Sequence, residues 1–241
     1  SIVSRFFDPD GSVVRGDGVL WLASGWSAHS LTTDVSGTDL LMIWRSGTGG
    51  LWRASMSREG AVGIPPGVVV ASPNAQLPAV GVVPDGHVLS WYEGTDTGFC
   101  SHDGFGPSRI FVQRLGPDGS AEGMPETVAI EDGMGARTAP RLASGADSSV
   151  GMIWWRAGPA TDPGCSLRFG VVEADVSTVV DGGVLGLGSS GRVVDADDAY
   201  RAVWYLPSAA EPQRLNFAAF DRGAMLLDAP VTCDLPFEAF F

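Results

Sequence analysis

The sequence predicts an all-β repeat protein, and three observations predict it. One unit, an alternating apolar run followed by a polar turn, recurs five times along the 241 residues. The chain holds 33 glycines and 16 prolines, too many turn formers for a helical protein. Its apolar fraction of 44% against a charged fraction of 18% is too high for disorder and sufficient for a sizeable core.

The recurring runs are IVSRFFDPDG from Ile2, LWRASMSREG from Leu51, IFVQRLGPDG from Ile110, LRFGVVEADV from Leu167 and LNFAAFDRGA from Leu215. Their starts lie 49, 59, 57 and 48 residues apart, a spacing long enough for one four-stranded unit per repeat. Alternation with a period of two, broken by Asp-Pro-Asp-Gly or a polar variant, marks a strand entering a hairpin turn. A second extended run follows each turn, over Gly63–Ala71, Pro125–Ile130, Val179–Leu187 and Met225–Cys233. A third run is led by proline, as in LPAVGVV from Leu77 and APRLASG from Ala139. The fourth ends in tryptophan, at Trp44, Trp91, Trp154 (with Trp155 beside it) and Trp204. Ordered from the innermost strand, each period reads as a meander of the Pro-led strand, the Trp strand, the alternating strand and the strand after the turn.

On this repeat pattern the chain resembles the β-propeller repeat proteins of secreted bacterial type over nearly its whole length. The resemblance implies one domain over residues 1–241, with four-stranded blades near 23–71, 72–130, 131–187 and 188–233. A closing blade would come from both termini, 1–22 and 234–241, because Leu235, Pro236 and Phe237 match Leu77, Pro78 and Ala79 at the start of an innermost strand. Five blades are expected on this register. The closing blade lacks a Trp strand, so a fragment of a larger assembly is the other reading. Sialidase-like propellers carry an Asp box at the hairpin between the third and fourth strands. The turns Asp8–Gly11 and Gly116–Gly119 fall there and share its Asp and Gly, but lack its Ser and Trp. That likeness stops at architecture.

Charge and composition bound the function classes. Formal net charge is −13, and all 15 basic residues are arginine. Without lysine, Schiff-base chemistry is excluded, and an acidic surface with scattered arginine argues against a nucleic-acid partner. No run of 18 apolar residues predicts a membrane-spanning helix. A start at Ser1 without Met, charged n-region or apolar h-region is expected of a processed chain or an excised piece, and a secreted or cell-envelope location is expected with it.

Compact catalytic motifs are absent: there is no phosphate loop, HExxH, GxSxG, CxxC or dinucleotide fingerprint. His29, His87 and His102 lie far apart, and His87, after a Pro-Asp-Gly turn, is expected in solvent rather than on a metal. Asp195, Asp197 and Asp198, and likewise Asp34 and Asp39, bring carboxylates close in sequence. Acidic surface loops explain them more simply than calcium, since the EF-hand spacing and its final Glu are missing. No cofactor is expected, with calcium as the alternative. The four repeating tryptophans are expected to pack between blades, which leaves Trp26, Trp52 and Trp155 as candidates for ligand stacking.

Long connections between second and third strands, Glu93–Ser108 and Ala157–Ser166, each place a cysteine before the third strand. Recognition is expected there, and a Cys100–Cys165 disulfide is a hypothesis that an oxidising compartment would permit. Cys233 would be left over. The sequence therefore predicts a non-enzymatic module that binds a protein or glycan partner through loops on one face, with other chains of a larger assembly as further partners. The alternative is a glycoside hydrolase of the five-bladed kind, with Asp34, Asp195 and Glu238 as acid and base on innermost strands.

Overall fold

The computed structural model describes residues 2–7, 13–20, 28–36, 39–57, 61–94, 108–131, 140–157, 165–187, 190–196, 198–206 and 214–234; side chains are described from Leu40 onward, apart from a few in the strands. Every regular element among them is a β-strand. A two-stranded ribbon, β1 (Ile2–Phe7) and β2 (Val13–Leu20), precedes four four-stranded antiparallel sheets. The first contains β3 (Ala28–Ser36), β4 (Asp39–Ser46), β5 (Leu51–Ser57) and β6 (Gly67–Val70). The second contains β7 (Ala75–Val83), β8 (Gly86–Glu93), β9 (Ser108–Leu115) and β10 (Ala121–Glu131). The third is β11 (Arg141–Ser144), β12 (Val150–Ala157), β13 (Cys165–Val172) and β14 (Val179–Leu187), and the fourth is β15 (Ser190–Ala196), β16 (Ala199–Leu206), β17 (Arg214–Phe220) and β18 (Val231–Asp234). In each sheet the strands lie side by side in chain order, the meander that the sequence predicts. The first strands touch in series, β3 against β7, β7 against β11 and β11 against β15, so they form the inner edge of a β-propeller.

Prolines decide where several strands start. The run expected over Gly63–Ala71 is interrupted: Gly63 and Ile64 exchange backbone hydrogen bonds with Ser55, but the strand β6 spans only Gly67–Val70, because Pro65 and Pro66 have no amide to donate to the ladder. Pro230 similarly delays β18 to Val231, although Leu226 makes an isolated bridge to Phe220. Pro125 is accommodated inside the long β10 by a register shift between Glu122 and Glu126.

Side chains from facing sheets fill the core. Trp91 packs with Leu41 and Ile43 of the first sheet and stacks on Phe111 at 5.3 Å between ring centroids. Trp154 packs with Val88, Ile110 and Val112 of the second sheet, and Trp204 with Ile153 and Leu167 of the third. Trp44 is equally buried, with Met42, Ala54 and Met56. Trp91, Trp154 and Trp204 each close an interface between two sheets, which accounts for their common register, whereas the cluster around Trp44 is drawn from its own sheet. Between the third and fourth sheets, Phe169 stacks on Phe220 at 4.1 Å and meets Tyr200 at 5.9 Å. The far face of the fourth sheet carries Val194, Phe217 and Val231 exposed, around a cavity of about 540 Å³. Sheets are also tied directly, as where Val82 N donates to Ser144 Oγ at 2.7 Å.

Candidate functional site

An antiparallel meander puts its first-to-second and third-to-fourth turns at one end and its second-to-third connections at the other. The two ends differ chemically.

The turn end is built for rigidity. A three-residue device recurs there, Asp118-Gly119-Ser120, Asp147-Ser148-Ser149 and Asp175-Val176-Ser177. In each, the aspartate Oδ1 accepts from the serine amide and from its hydroxyl, at 2.9 and 2.5 Å, 3.2 and 2.7 Å, and 2.9 and 2.7 Å respectively. The middle residue has φ of 70°, 76° and 55° in turn, the left-handed conformation that such a turn requires. These bonds favour the carboxylate form. The Ser120 hydroxyl and amide hold Asp118 below the ordinary aspartate range, and Ser177 does the same for Asp175. For Asp147, burial pushes the other way but is outweighed by Ser149 and by Arg222.

Arg222 is the hub of this end. Its Nη2 lies 2.5 Å from Asp195 Oδ1, its Nε 3.8 Å from Asp147 Oδ1, and its guanidinium 4.5 Å above the Tyr200 ring. Tyr200 is fully buried and its hydroxyl shares a 2.7 Å hydrogen bond with Ser149 Oγ. Burial raises the Tyr200 phenol above its ordinary value, with Ser149 and Arg222 opposing. Gly151 makes room for the ring, since a Cβ there would sit 2.5 Å from Tyr200 Cδ1.

The carboxylates expected to act as acid and base are distributed accordingly. Asp34 lies near the turn end of β3, opposite Leu41, and Asp195 near the turn end of β15, opposite Tyr200. Asp195 is on an innermost strand as expected, but its carboxylate is held by Arg222. Glu238 lies outside the described residues, as do Trp26 and Cys100. Trp52 pairs with Trp44 across β4 and β5 and packs, half-buried, on the Trp44 cluster. Trp155 is on β12, opposite Leu167, and Cys165 opens β13; the side chains of both lie outside the described residues. Cys233 is an exposed free thiol. His87 is buried rather than solvated, because the β8–β9 pairing carries it under the turn after Leu115, with Nδ1 3.4 Å from the Gly116 carbonyl. Among the described residues, no group of three or more His, Cys, Asp or Glu could hold a metal ion.

The opposite end carries the connections 95–107, 158–164 and 207–213, which lie outside the described residues, and a different set of polar groups. Gln76, near the start of β7, donates through Nε2 to the Gly94 carbonyl at 3.1 Å. Glu93 ends β8 opposite Ala75 of the innermost strand, and its Oε1 accepts from the Trp91 indole at 3.1 Å. It is a half-buried carboxylate one strand from the inner edge. Arg141 opens the innermost strand β11, and Arg192 is the third residue of the innermost strand β15. Arg141 is opposite Ile153 and Arg192 opposite Val203, the residues just before Trp154 and Trp204, so the two arginines occupy equivalent places in consecutive sheets. Arg141 is half-buried, and its Nε has no hydrogen-bond partner among the described residues. Burial, and after it the charge of Arg192, pulls its guanidinium below the ordinary arginine value. Arg192 is exposed and donates to the Gly191 carbonyl at 3.0 Å. Sequence reading did not single out these residues. A signal was present: arginine stands in PRLAS and GRVVD where the second repeat has Ala79 in LPAVG.

No family profile and no curated protein matches the sequence. The fold is similar to that of a sialidase from Trypanosoma rangeli solved with the inhibitor DANA, with a TM-score of 0.58 and 10% identity over 96% of this chain and 42% of the sialidase. It is similar to an α-L-arabinofuranosidase (CtGH43) from Clostridium thermocellum, with a TM-score of 0.51 and 12% identity over 86% of this chain and 73% of that one. A mutant of the T. rangeli enzyme displaying trans-sialidase activity matches at 0.57, with 11% identity over 94% of this chain and 42% of that one. The chain thus spans well under half the length of the sialidases. At these identities the likeness establishes the fold, a β-propeller. It also corrects the expectation of a non-enzymatic module binding a protein or glycan partner: the architecture that suggested a passive scaffold is shared with a sialidase and an arabinofuranosidase. The inference failed for a physical reason. In a propeller the site groups come singly from separate repeats, so a lack of compact motifs says nothing against catalysis.

Proposed function

We propose that the chain is all or part of the propeller of a glycoside hydrolase. The observation that carries the reading is Glu93, a half-buried carboxylate at the end of the long connections, oriented by the Trp91 indole and one strand from the inner edge. The fold likeness to a sialidase and an arabinofuranosidase supports it. Hydrolysis of a glycosidic bond needs two carboxyl groups, one to protonate the leaving oxygen and one to attack the sugar or to activate water. Glu93 is one member. The second is sought in Glu238, which the sequence places near an innermost strand; Asp34 lies at the turn end, away from Glu93, and Asp195 is tied to Arg222 at that same end. Fixing Glu93 from one side by an indole N–H leaves its other oxygen to face substrate.

The test is release of the aryl group from a panel of 4-nitrophenyl glycosides between pH 4 and 8. Turnover of at least one is expected, with Glu93→Gln lowering kcat by about 10²-fold or more, the scale of lost acid–base catalysis. Silence across the panel, or turnover that Glu93→Gln leaves intact, overturns the assignment.

A further inference from the structure

The three interfaces between consecutive sheets share one plan. The tryptophan-bearing side of each sheet packs on the sheet before it, and the opposite side receives the sheet after it. On that receiving side, three residues before the tryptophan, stand Leu41, Val88, Gly151 and Arg201 in the four sheets. The next innermost strand meets the first three with Val80, Leu142 and Val193, paired with Leu89, Met152 and Ala202, each two residues before its own tryptophan. Leu41 shares a cluster with Val80, and Val88 with Leu142. The receiving side of the fourth sheet is open. Val194, Phe217 and Val231 are exposed around the cavity of about 540 Å³, which Arg201 and Val203 also line. Phe217 is opposite Val203 just as Val112 is opposite Ser90 and Phe169 opposite Ile153, and both Val112 and Phe169 are fully buried.

The sequence after β18 names the occupant. From β6 to β7, from β10 to β11 and from β14 to β15, the chain passes from the outermost strand of one sheet to the innermost strand of the next. Each such strand then lies against its predecessor. Asp234 ends β18 and is followed by LPFEAFF, residues 235–241. Aligning Pro236 with Pro78 and Pro140 puts Glu238 in the place of Val80 and Leu142. The position that meets it on the fourth sheet is that of Arg201. Where the first two interfaces set hydrocarbon against hydrocarbon, the last would set glutamate against arginine. The two departures from the apolar pattern carry opposite charges and fall at matching places. Either charge alone would face an apolar strand at a cost.

We propose that residues 235–241 dock as an extended strand on the open side of the fourth sheet, beside β15, with Glu238 paired to Arg201. Strand alternation then turns Phe240 to the same side as Glu238, toward the apolar part of the cavity. The inference concerns how the sheets continue around the inner edge and does not depend on the glycoside hydrolase reading. An ion pair through one oxygen, like the Trp91 contact to Glu93, leaves the other oxygen of Glu238 for chemistry.

The test is a charge swap in the full chain, read by scanning calorimetry on Arg201→Glu, Glu238→Arg and the double variant. Each single change sets like charges together and should lower the melting temperature by about 2 °C or more. The double variant restores the pair and should recover at least about half of the summed loss. Singles that melt like the parent, or losses that simply add, overturn the pairing. A second measurement uses the unaltered sequence. Methyl-labelled protein should show NOEs from Val194 and Val203 to phenyl protons that disappear in Phe240→Leu, at intensities independent of dilution. Cross-peaks that fade on dilution, or that arise between differently labelled chains in a mixed sample, assign the face to a second copy and overturn the segment. Valine methyls without cross-peaks, broadened by a soluble paramagnetic agent, leave the face in solvent and overturn it as well. Glu238→Gln keeps the two roles of that residue apart. A lower melting temperature reports the docked strand and a lower kcat reports hydrolysis, so an unchanged melting temperature overturns the pairing whatever happens to kcat.

Discussion

Asp195→Asn separates a catalytic carboxylate from a structural one. The side chain of Asp195 is 23% exposed and that of Arg222 20%, so their 2.5 Å ion pair belongs neither to the surface nor to the deep interior. Exposed pairs contribute about 0.2–1 kcal/mol, and breaking a buried pair costs about 3–5 kcal/mol. An intermediate value of about 1–3 kcal/mol follows from those two limits. Arg222 keeps Asp147 at 3.8 Å and the Tyr200 ring at 4.5 Å after the change, so the lower half of that range is expected. At roughly 2–4 °C per kcal/mol for a chain of this size, the melting temperature should fall by about 2–8 °C. Scanning calorimetry measures that fall, and an aryl-glycoside assay on the folded variant measures kcat. The pairing predicts kcat within about threefold of the parent, whereas removal of a catalytic acid or base would lower it by about 10²-fold or more. Arg222→Gln should destabilise to a similar extent, and the double variant should fall short of the sum by about 1 kcal/mol, as for groups in contact. An Asp195→Asn protein that melts like the parent but has lost its activity would refute the reasoning and return Asp195 to the reacting centre.

Two further perturbations test the same region. Gly151→Ala would place a methyl 2.5–2.8 Å from three atoms of the buried Tyr200 ring, which is backed by Phe169. Overpacking of this kind costs about 1–3 kcal/mol, so a melting temperature within 1 °C of the parent would mean that the ring moves aside freely. Acid should weaken the turns: Asp118, Asp147 and Asp175 all have carboxyl pKa values lowered by folding. Their contribution is complete above the unfolded value near pH 4 and is lost as pH falls through the lower folded values. Melting temperature followed from pH 7 to pH 2.5 should therefore drop below about pH 4, and the drop should shrink in Asp118→Asn. An equal acid-side drop in that variant would show that the Ser120 bonds contribute nothing.

The strand order was readable from the sequence because it depends on local chemistry. Alternation with a period of two marks one-sided burial, Gly and Asp mark the turns, and a tryptophan repeated at one register marks a repeated interface; Trp91, Trp154 and Trp204 each close one. Strand ends were less legible wherever proline removed an amide, as at Pro65, Pro66 and Pro230. The candidate site was hardly legible at all. Asp195 reads as a funnel carboxylate in one dimension, and only tertiary structure brings Arg222 to it across 27 residues of chain. His87 reads as a hairpin residue in solvent and is buried by the neighbouring strand and its turn. Arg141 and Arg192 are 51 residues apart and look like two scattered cations, until strand pairing shows them at equivalent places on adjoining strands. Periodicity records which face of a strand is dry, and that suffices for a repeat fold. Which charges meet, and which are left unmatched, depends on how separate repeats pack around a common inner edge.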